Sequence, residues 1–344
     1  MKYRLLLTLF LLSLTRLVWA TQENTTESVS GPRYLTVTEA QLRTAASNGS
    51  YAIESEGIVY TFADSDYNID TSQVTDMSDL FAGSDFNQDI GYWDVSNVTT
   101  MHLMFYEATN FNQPIGGWDV SNVTDMSWMF AVALAFNLPI GDWDVSSVTD
   151  MWNMLSNAKA FNQPIGDWDV SSVTNMRSMF GGAESFNQPI GNWDVSSVTN
   201  MSSMFSRATA FNQPIGNWDV SSVTDMSSML RAKSFNQPIG NWDVSNVAAM
   251  GGMFGDAEAF NQPIGEWDVS NVTRMDFMFS NARLFNQPIG NWDVSNVMNM
   301  RRMFAGAENF NQDLSSWSVP AINEQPENFI REDYPAEWLP RWGQ

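Results

Sequence analysis

Nine aspartates, Asp94, Asp119, Asp144, Asp169, Asp194, Asp219, Asp243, Asp268 and Asp293, recur at a spacing of 24 or 25 residues, each inside the string W-D-V-S. Carboxylates in a row can do acid–base chemistry, hold hard cations, or accept hydrogen bonds that lock a chain corner. A glycosidase needs two carboxylates, each used once. Nine equivalent copies therefore signal structure. Oxygen ligands suit calcium, yet the dense Gly-Asp nonapeptide of known calcium-binding coils is missing, so no metal is expected and calcium on the ladder stays the minor alternative. The favoured reading is hydrogen bonding to backbone, Ser or Thr donors of the same or the adjacent coil, which offsets the repulsion of like charges about 5 Å apart. The other chemistry is thin. The chain has no Cys and a single histidine, His102, so nucleophile–His pairs and His-based zinc sites have almost nothing to use. A serine triad through His102 has no motif around it. Neither catalytic residues nor cofactors are expected.

Binding chemistry must lie where the repeat varies. The two positions after the first Met of each copy are mostly small or polar, as in Ser202-Ser203 and Ser227-Ser228. They hold His102-Leu103, Ser127-Trp128, Trp152-Asn153 and Asp276-Phe277 elsewhere. His102, Leu103, Trp128, Trp152 and Phe277 are the candidate partner-binding residues. Trp128 and Trp152 fall on adjacent copies and could form one exposed aromatic patch, the kind of surface that marks protein or sugar contact. The alternative is that both rings are tucked against a neighbouring coil or the N-terminal lid.

These side chains are positioned by a repeat close to F-N-Q-P-I-G-x-W-D-V-S-x-V-T-x-M-x-x-M-F-x-x-A-x-x, whose copies begin at Phe86, Phe111, Phe136, Phe161, Phe186, Phe211, Phe235, Phe260 and Phe285. A fixed period of this size marks a solenoid, in which one unit cannot bury its apolar face alone and stacks on its neighbours. Met126, Met129, Phe130 and Ala133 follow the i, i+3, i+4, i+7 spacing of a helix face. Thr124 sits where an N-cap belongs and Asp125 at the positive end of the dipole. Trp118 and Val120 alternate with Asp119 as in a short strand. Pro114 and Gly116 make Q-P-I-G a corner. The predicted fold is an α/β repeat solenoid, each coil a short parallel strand at W-D-V plus a two-turn helix, with a cap at either end. The copy from Phe211 is one residue short near Leu230-Arg231, and the next carries Ala248 for Thr and Gly251-Gly252 in the helix. The array should be softest from Leu230 to Gly252.

The expected organisation is a signal peptide over 1–20, a disordered linker over 21–35 and an N-terminal cap over 36–68 with a helix at 36–46. The solenoid over 69–319 and a C-terminal cap over 320–344 follow. Lys2 and Arg4, the apolar run Leu5 to Leu14 and the small-residue end Val18-Trp19-Ala20 support the first of these. That run is about half the roughly 20 residues a membrane span needs. Removing 1–20 takes Lys2, Arg4 and Arg16 with it and leaves 13 basic against 39 acidic residues, a net −26. Such a surface excludes a polyanionic partner, so nucleic acid is not expected. No later stretch reads as a membrane span. Six sequons, at Asn24, Asn48, Asn97, Asn122, Asn200 and Asn271, fit N-glycosylation.

The string F-N-Q-P-I-G-N-W-D-V-S-S-V-T-N-M-S-S-M-F resembles the 25/26-residue bacterial surface-protein repeat of the BspA-like leucine-rich-repeat proteins, over roughly 69–319. The resemblance implies a secreted or cell-surface solenoid related to leucine-rich repeats, in a family associated with adhesion and partner contact. The tail from Trp317 resembles a terminal cap that in relatives often carries two cysteines; Ser318 stands where the first would be. The functional expectation is a secreted or cell-surface, non-enzymatic protein that binds a protein or glycan partner at a cell surface. A purely structural spacer is the alternative, and an exported hydrolase a distant third.

Overall fold

Stacking, not helix formation, governs the backbone. In the computed structural model, which describes residues 33–63 and 65–344, successive copies are joined by a column of single-residue parallel bridges, Asp76↔Thr100, Thr100↔Asp125 and on to Arg274↔Asn299. The paired residue lies between Thr and Met of the repeat, so the strand expected at W-D-V is displaced. Trp118 and Val120 are buried and Asp119 is exposed, but their segment is two turns, with Trp118 N–H donating to Ile115 O and Val123 N–H to Val120 O. The threonine before each bridge is a rung, not a helix cap. Thr124 N–H and its hydroxyl both donate to Thr99 O, at 2.9 and 3.2 Å.

The helix predicted for each coil is absent. Met101, Leu103, Phe105 and Glu107 donate their amides to Asp125, Ser127, Met129 and Ala131 of the next coil. The amides between them, of Met104, Tyr106 and Ala108, close turns on Met101, Leu103 and Phe105. Leu103 and Glu107 have φ of 57°, the third-position condition of a type II turn. Two such turns in tandem put inward the same i, i+3, i+4, i+7 set that a helix face shows, which is why the spacing misled. The reason for the choice is distance. Helices pack 8–10 Å apart, whereas bridged strands lie about 4.8 Å apart, and Phe105 and Phe130 of adjacent coils stack with centroids 5.4 Å apart. Side-by-side helices do not fit that repeat. Gly252, a supposed weakness, has φ of 66° in the column where the turn wants it. The residue missing near Leu230 is taken from the outer turn, and Leu230, Ala232 and Phe235 remain fully buried. The physical basis for a soft segment through the glycines is therefore removed.

Columns of Phe, Ile, Trp, Val, Met and Ala fill the interior, all at 4% exposure or less from Phe86 to Val319. Each core tryptophan donates its indole N–H backwards, Trp118 to Ile90 O and Trp317 to Ile289 O, at 3.2 and 3.0 Å. A second polar ladder runs along the F-N-Q corner: Asn87 Oδ1 accepts Asn112 N–H, Asn112 Oδ1 accepts Asn137 N–H, and Gln113 donates to Asn87 O and Oδ1. The corner glycine is there for closeness and not for unusual angles. A Cβ on Gly116 would lie 2.5 Å from Pro139 O of the next coil.

The N-terminal cap is a sheet of β1 (Tyr34–Thr36), β2 (Ala52–Ser55), β3 (Ile58–Thr61) and β4 (Asn68–Asp70) in the order β1-β4-β3-β2, with helix α1 (Glu39–Ser47) after β1. The helix starts later than the 36–46 expected, because Thr38 with Gln41 forms a capping box and Thr36 belongs to β1. Residues 34 and 35, assigned to a linker, are also in β1. The signal peptide and most of the linker lie outside the described residues. α1 imitates a coil. Glu39 Oε1 accepts from Thr75 N, Thr75 Oγ1 and Asp76 N, and Arg43 donates to Asp76 O and Ser78 O. These are the groups that a preceding coil would otherwise satisfy. At the other end Phe304 N–H bonds Phe329 O, Arg331 reaches Phe310 O and Asn311 Oδ1, and β5 (Ser318–Val319) pairs with β6 (Arg341–Trp342). Both open ladders are closed by polar lids.

Candidate partner-binding face

Two faces carry the residues singled out above. The aspartate column lies on the corner after W. In all nine copies Oδ1 accepts the amide of the serine two residues on at 3.0–3.1 Å. From Asp94 through Asp243 it also accepts that serine's hydroxyl at 2.6 Å. The serine hydroxyl, and then its amide, hold Asp119, Asp144, Asp194 and Asp243 below the ordinary 3.8. Because the folded values are the lower ones, this stabilisation is present above pH 3.8 and is lost as pH falls through them. We expect the urea midpoint to drop between about pH 5 and about pH 2.5, and Asp144→Asn, which keeps the Oδ1 acceptor, to flatten part of that slope. Among the described residues no group of three or more His, Cys, Asp or Glu is arranged to hold a metal ion.

The turn face carries the variable positions. Trp128 N–H donates to Trp152 O, which fixes the two residues on neighbouring coils. Their rings meet at 5.4 Å and 72°, and Tyr106 packs on Trp128 at 5.6 Å and 83°. The Arg177 guanidinium lies 5.7 Å over the Trp152 ring. All four are partly exposed or exposed. Trp152 Nε1 is covered and has no hydrogen-bond partner, a cost of roughly 1–3 kcal/mol that the row bears. Leu103 and His102 stand on the coil before Trp128, partly exposed. Phe277 is not part of this group. It lies six coils beyond Trp128 under Arg302, 5.8 Å away, in a cleft with Arg231, Gly252 and Arg274.

His102 Nδ1 is 2.7 Å from Ser127 Oγ, and Ser127 Oγ donates to Asp125 Oδ1 at 2.6 Å. The three residue types of a hydrolytic triad are present, but in the wrong order. The serine's only proton goes to the carboxylate, so the imidazole donates to the hydroxyl instead of taking its proton. That polarity does not generate an alkoxide.

Three residues, two on the coil of Trp128 and one at the start of the next copy, escaped the sequence reading. Val132 has φ of 62° and is the only β-branched side chain among the described left-handed residues. Leu134 is 39% exposed at a position that elsewhere holds Thr109, Lys159, Glu184, Thr209, Lys233, Glu258, Arg283 or Glu308. Leu138 replaces the ladder glutamine of every other full copy. The signal was available as departures from the repeat consensus.

A family model described as "Mycoplasma protein of unknown function, DUF285" matches residues 57–165, 137–237 and 230–336. No curated protein matches the chain. A chain in the crystal structure of a TLR13–ssRNA13 complex is similar at 9% identity and a TM-score of 0.22, over 64% of this chain and 38% of that one. The present chain thus spans well under half of that neighbour, and a likeness of that degree carries no argument.

Proposed function

The chain belongs to this DUF285 repeat family, and from that premise we propose that it is a secreted or cell-surface, non-enzymatic solenoid that binds a partner through its turn face. The observation that carries the reading is the Trp128–Trp152 pair, edge to face at 5.4 Å on adjacent coils and partly open to solvent. Large aromatic side chains off the core columns give contact area at low entropic cost. The finer likeness to BspA-like surface proteins, resting on the motif quoted above, supports a surface setting, as does the basic-then-apolar start at 1–20. No helix among the described residues is long and apolar enough to cross a membrane. The net charge of −23 for the full sequence weighs against nucleic acid as the partner.

The test is capture from the native extracellular environment with the full chain immobilised. Each of Trp128→Ala and Trp152→Ala should weaken capture by at least about tenfold, as expected of anchor residues, with near-normal unfolding. Capture that survives the double variant would sink the assignment of this face. Capture of nothing by the unaltered chain would favour a spacer.

A further inference from the structure

We infer that the cleft bordered by Arg231, Phe277 and Arg302 binds an acidic sugar, one ring whose carboxylate takes up amides that the fold leaves open. This site is separate from the tryptophan pair and does not depend on that pair binding anything.

Two adjacent coils lack a bond that their fellows make. In every other coil from Ser78 to Arg301, the amide of the residue after the first Met is capped by the side-chain oxygen two residues before it. Ser202 N–H meets Asn200 Oδ1 at 2.9 Å and Ser227 N–H meets Asp225 Oδ1 at 2.8 Å. Ala249 and Arg274 stand at the capping position in the next two coils, and neither side chain carries an oxygen. Among the described residues the N–H groups of Gly251 and Asp276 therefore have no acceptor. A third donor, Arg231 Nε, is covered and also lacks a partner. Gly251, Asp276 and Arg231 all line one cleft of about 600 Å³. Covered donors without acceptors are rare in folded chains and call for an explanation. Because every open group here is a donor, the matching ligand is an acceptor-only group, an oxyanion. A carboxylate from outside takes the place that an Asp or Asn oxygen fills in the other coils.

Glycines keep the cleft open. Gly251 and Gly255 are not left-handed, so the turns do not require them, yet a Cβ would lie 3.0 Å from Asp276 Oδ1 on the first and 3.3 Å from Arg231 Nε on the second. The two carboxylates in the cleft are already partnered. Asp256 accepts from Arg231 and Asn281, and Asp276 from Arg274 at 3.2 and 3.3 Å. Arg302 is the cation left over, since its pair with Glu327 is 3.6 Å long and that carboxylate is held at 2.8 Å by Arg301. Screening confines electrostatic influence to about 8 Å at physiological salt, so this local surplus acts on an anion in the cleft although the chain carries −23 overall.

The remaining walls suit a sugar ring. Ser227, Ser228 and Ser280 line the cleft, and none of their hydroxyls is hydrogen-bonded to the described residues. Phe277 adds an apolar wall, partly open to solvent, with Arg302 5.8 Å from its centroid. A few converging polar groups around one apolar surface fit a small ligand. A peptide fits less well, because the neighbouring amides that could pair with its backbone are committed between coils, Gly252 N–H to Asp276 O and Phe277 N–H to Arg301 O.

The test is isothermal titration calorimetry of the full chain with glucuronic acid, glucose and acetate. Glucuronate should bind, with glucose and acetate at least about tenfold weaker. Ala249→Asn restores the capping oxygen that Asn175, Asn200 and Asn299 supply and leaves the charge unchanged. It should unfold at the same or higher urea and yet bind glucuronate at least about tenfold more weakly. Arg302→Gln keeps the backbone bond to Glu327 O and should weaken binding as well, whereas Trp128→Ala should leave it unchanged. Undiminished binding by both the Ala249→Asn and the Arg302→Gln chains overturns the inference, and so does a failure of glucuronate to bind the unaltered chain. Glucose binding as tightly as glucuronate would remove the oxyanion, and acetate binding as tightly would remove the sugar. A hexaglutamate peptide that binds more tightly than glucuronate would overturn the choice of a sugar over an acidic peptide.

Discussion

Gly191→Ala should cost about 3 kcal/mol, at the upper end of the range for overpacking a rigid interior, whereas Gly117→Ala should change stability by less than about 0.5 kcal/mol. Both are glycines of the Q-P-I-G-x corner. The difference is what stands in front of them. A Cβ on Gly191 would lie 2.5 Å from the Pro214 carbonyl oxygen, while one on Gly117 meets nothing within 4 Å. The obstacle is backbone of the next coil and cannot swing aside as a side chain could. To relieve it the two coils must part by several tenths of an ångström. That strains the rungs that join them on both sides, Asn212 N–H to Asn187 Oδ1 and Trp218 Nε1 to Ile190 O, at 2.9 and 3.1 Å. Urea unfolding followed by circular dichroism measures the loss. A mild effect at Gly191 would mean that the coils are not held at the spacing described here.

Removing both charged residues of α1 in the N-terminal lid, as in Glu39→Ala with Arg43→Ala, should cost about 4 kcal/mol, and the damage should be local. Thr75 N–H and Asp76 N–H lose their acceptor, and Asp76 O and Ser78 O lose their donors. Thr75 is exposed and water can replace its acceptor, but at the part-buried groups of Asp76 and Ser78 an unmade bond costs roughly 1–3 kcal/mol, and the Arg43–Asp76 ion pair at 3.0 Å is lost as well. Solenoid stability is carried by nearest-neighbour interfaces, so the first coils should open while the last stay closed. Hydrogen exchange should therefore speed up over residues 71–110 and not over 260–310. Uniform acceleration along the chain would mean a cooperative body in which the lid has no special place. The same contact should be sensitive to acid. The Thr75 amide, then its hydroxyl, hold the Glu39 carboxyl below its ordinary 4.5. The lid's contribution is thus complete above pH 4.5 and falls away as pH drops through the lower folded value.

The candidate partner-binding face was half legible from composition and spacing. Trp128 and Trp152 stand out because they break a column of small residues, and adjacency in the repeat placed them together. Phe277 was drawn in by the same criterion, but six coils separate it from Trp128, and a common column does not make a common site. Val132, Leu134 and Leu138 were passed over because each alone is an ordinary apolar residue. They are visible only as departures from the polar or glycine-like residues that hold the same columns in other copies. His102, Ser127 and Asp125 could not be related from the sequence at all. Their hydrogen bonds, and the direction of the protons in them, depend on a stacking offset of one coil.

What the sequence by itself determined is the solenoid, its register and its core columns, because a strict period forces equivalent residues into equivalent places and apolar positions that recur in every copy must be covered by the neighbouring copies. What only the tertiary structure decided is the backbone inside each coil. The spacing of Met, Met, Phe and Ala is satisfied equally by two turns of helix or by two tandem tight turns. The choice between them is made by the few ångströms available between coils, which admit amides pointing along the stack and leave no room for helices side by side.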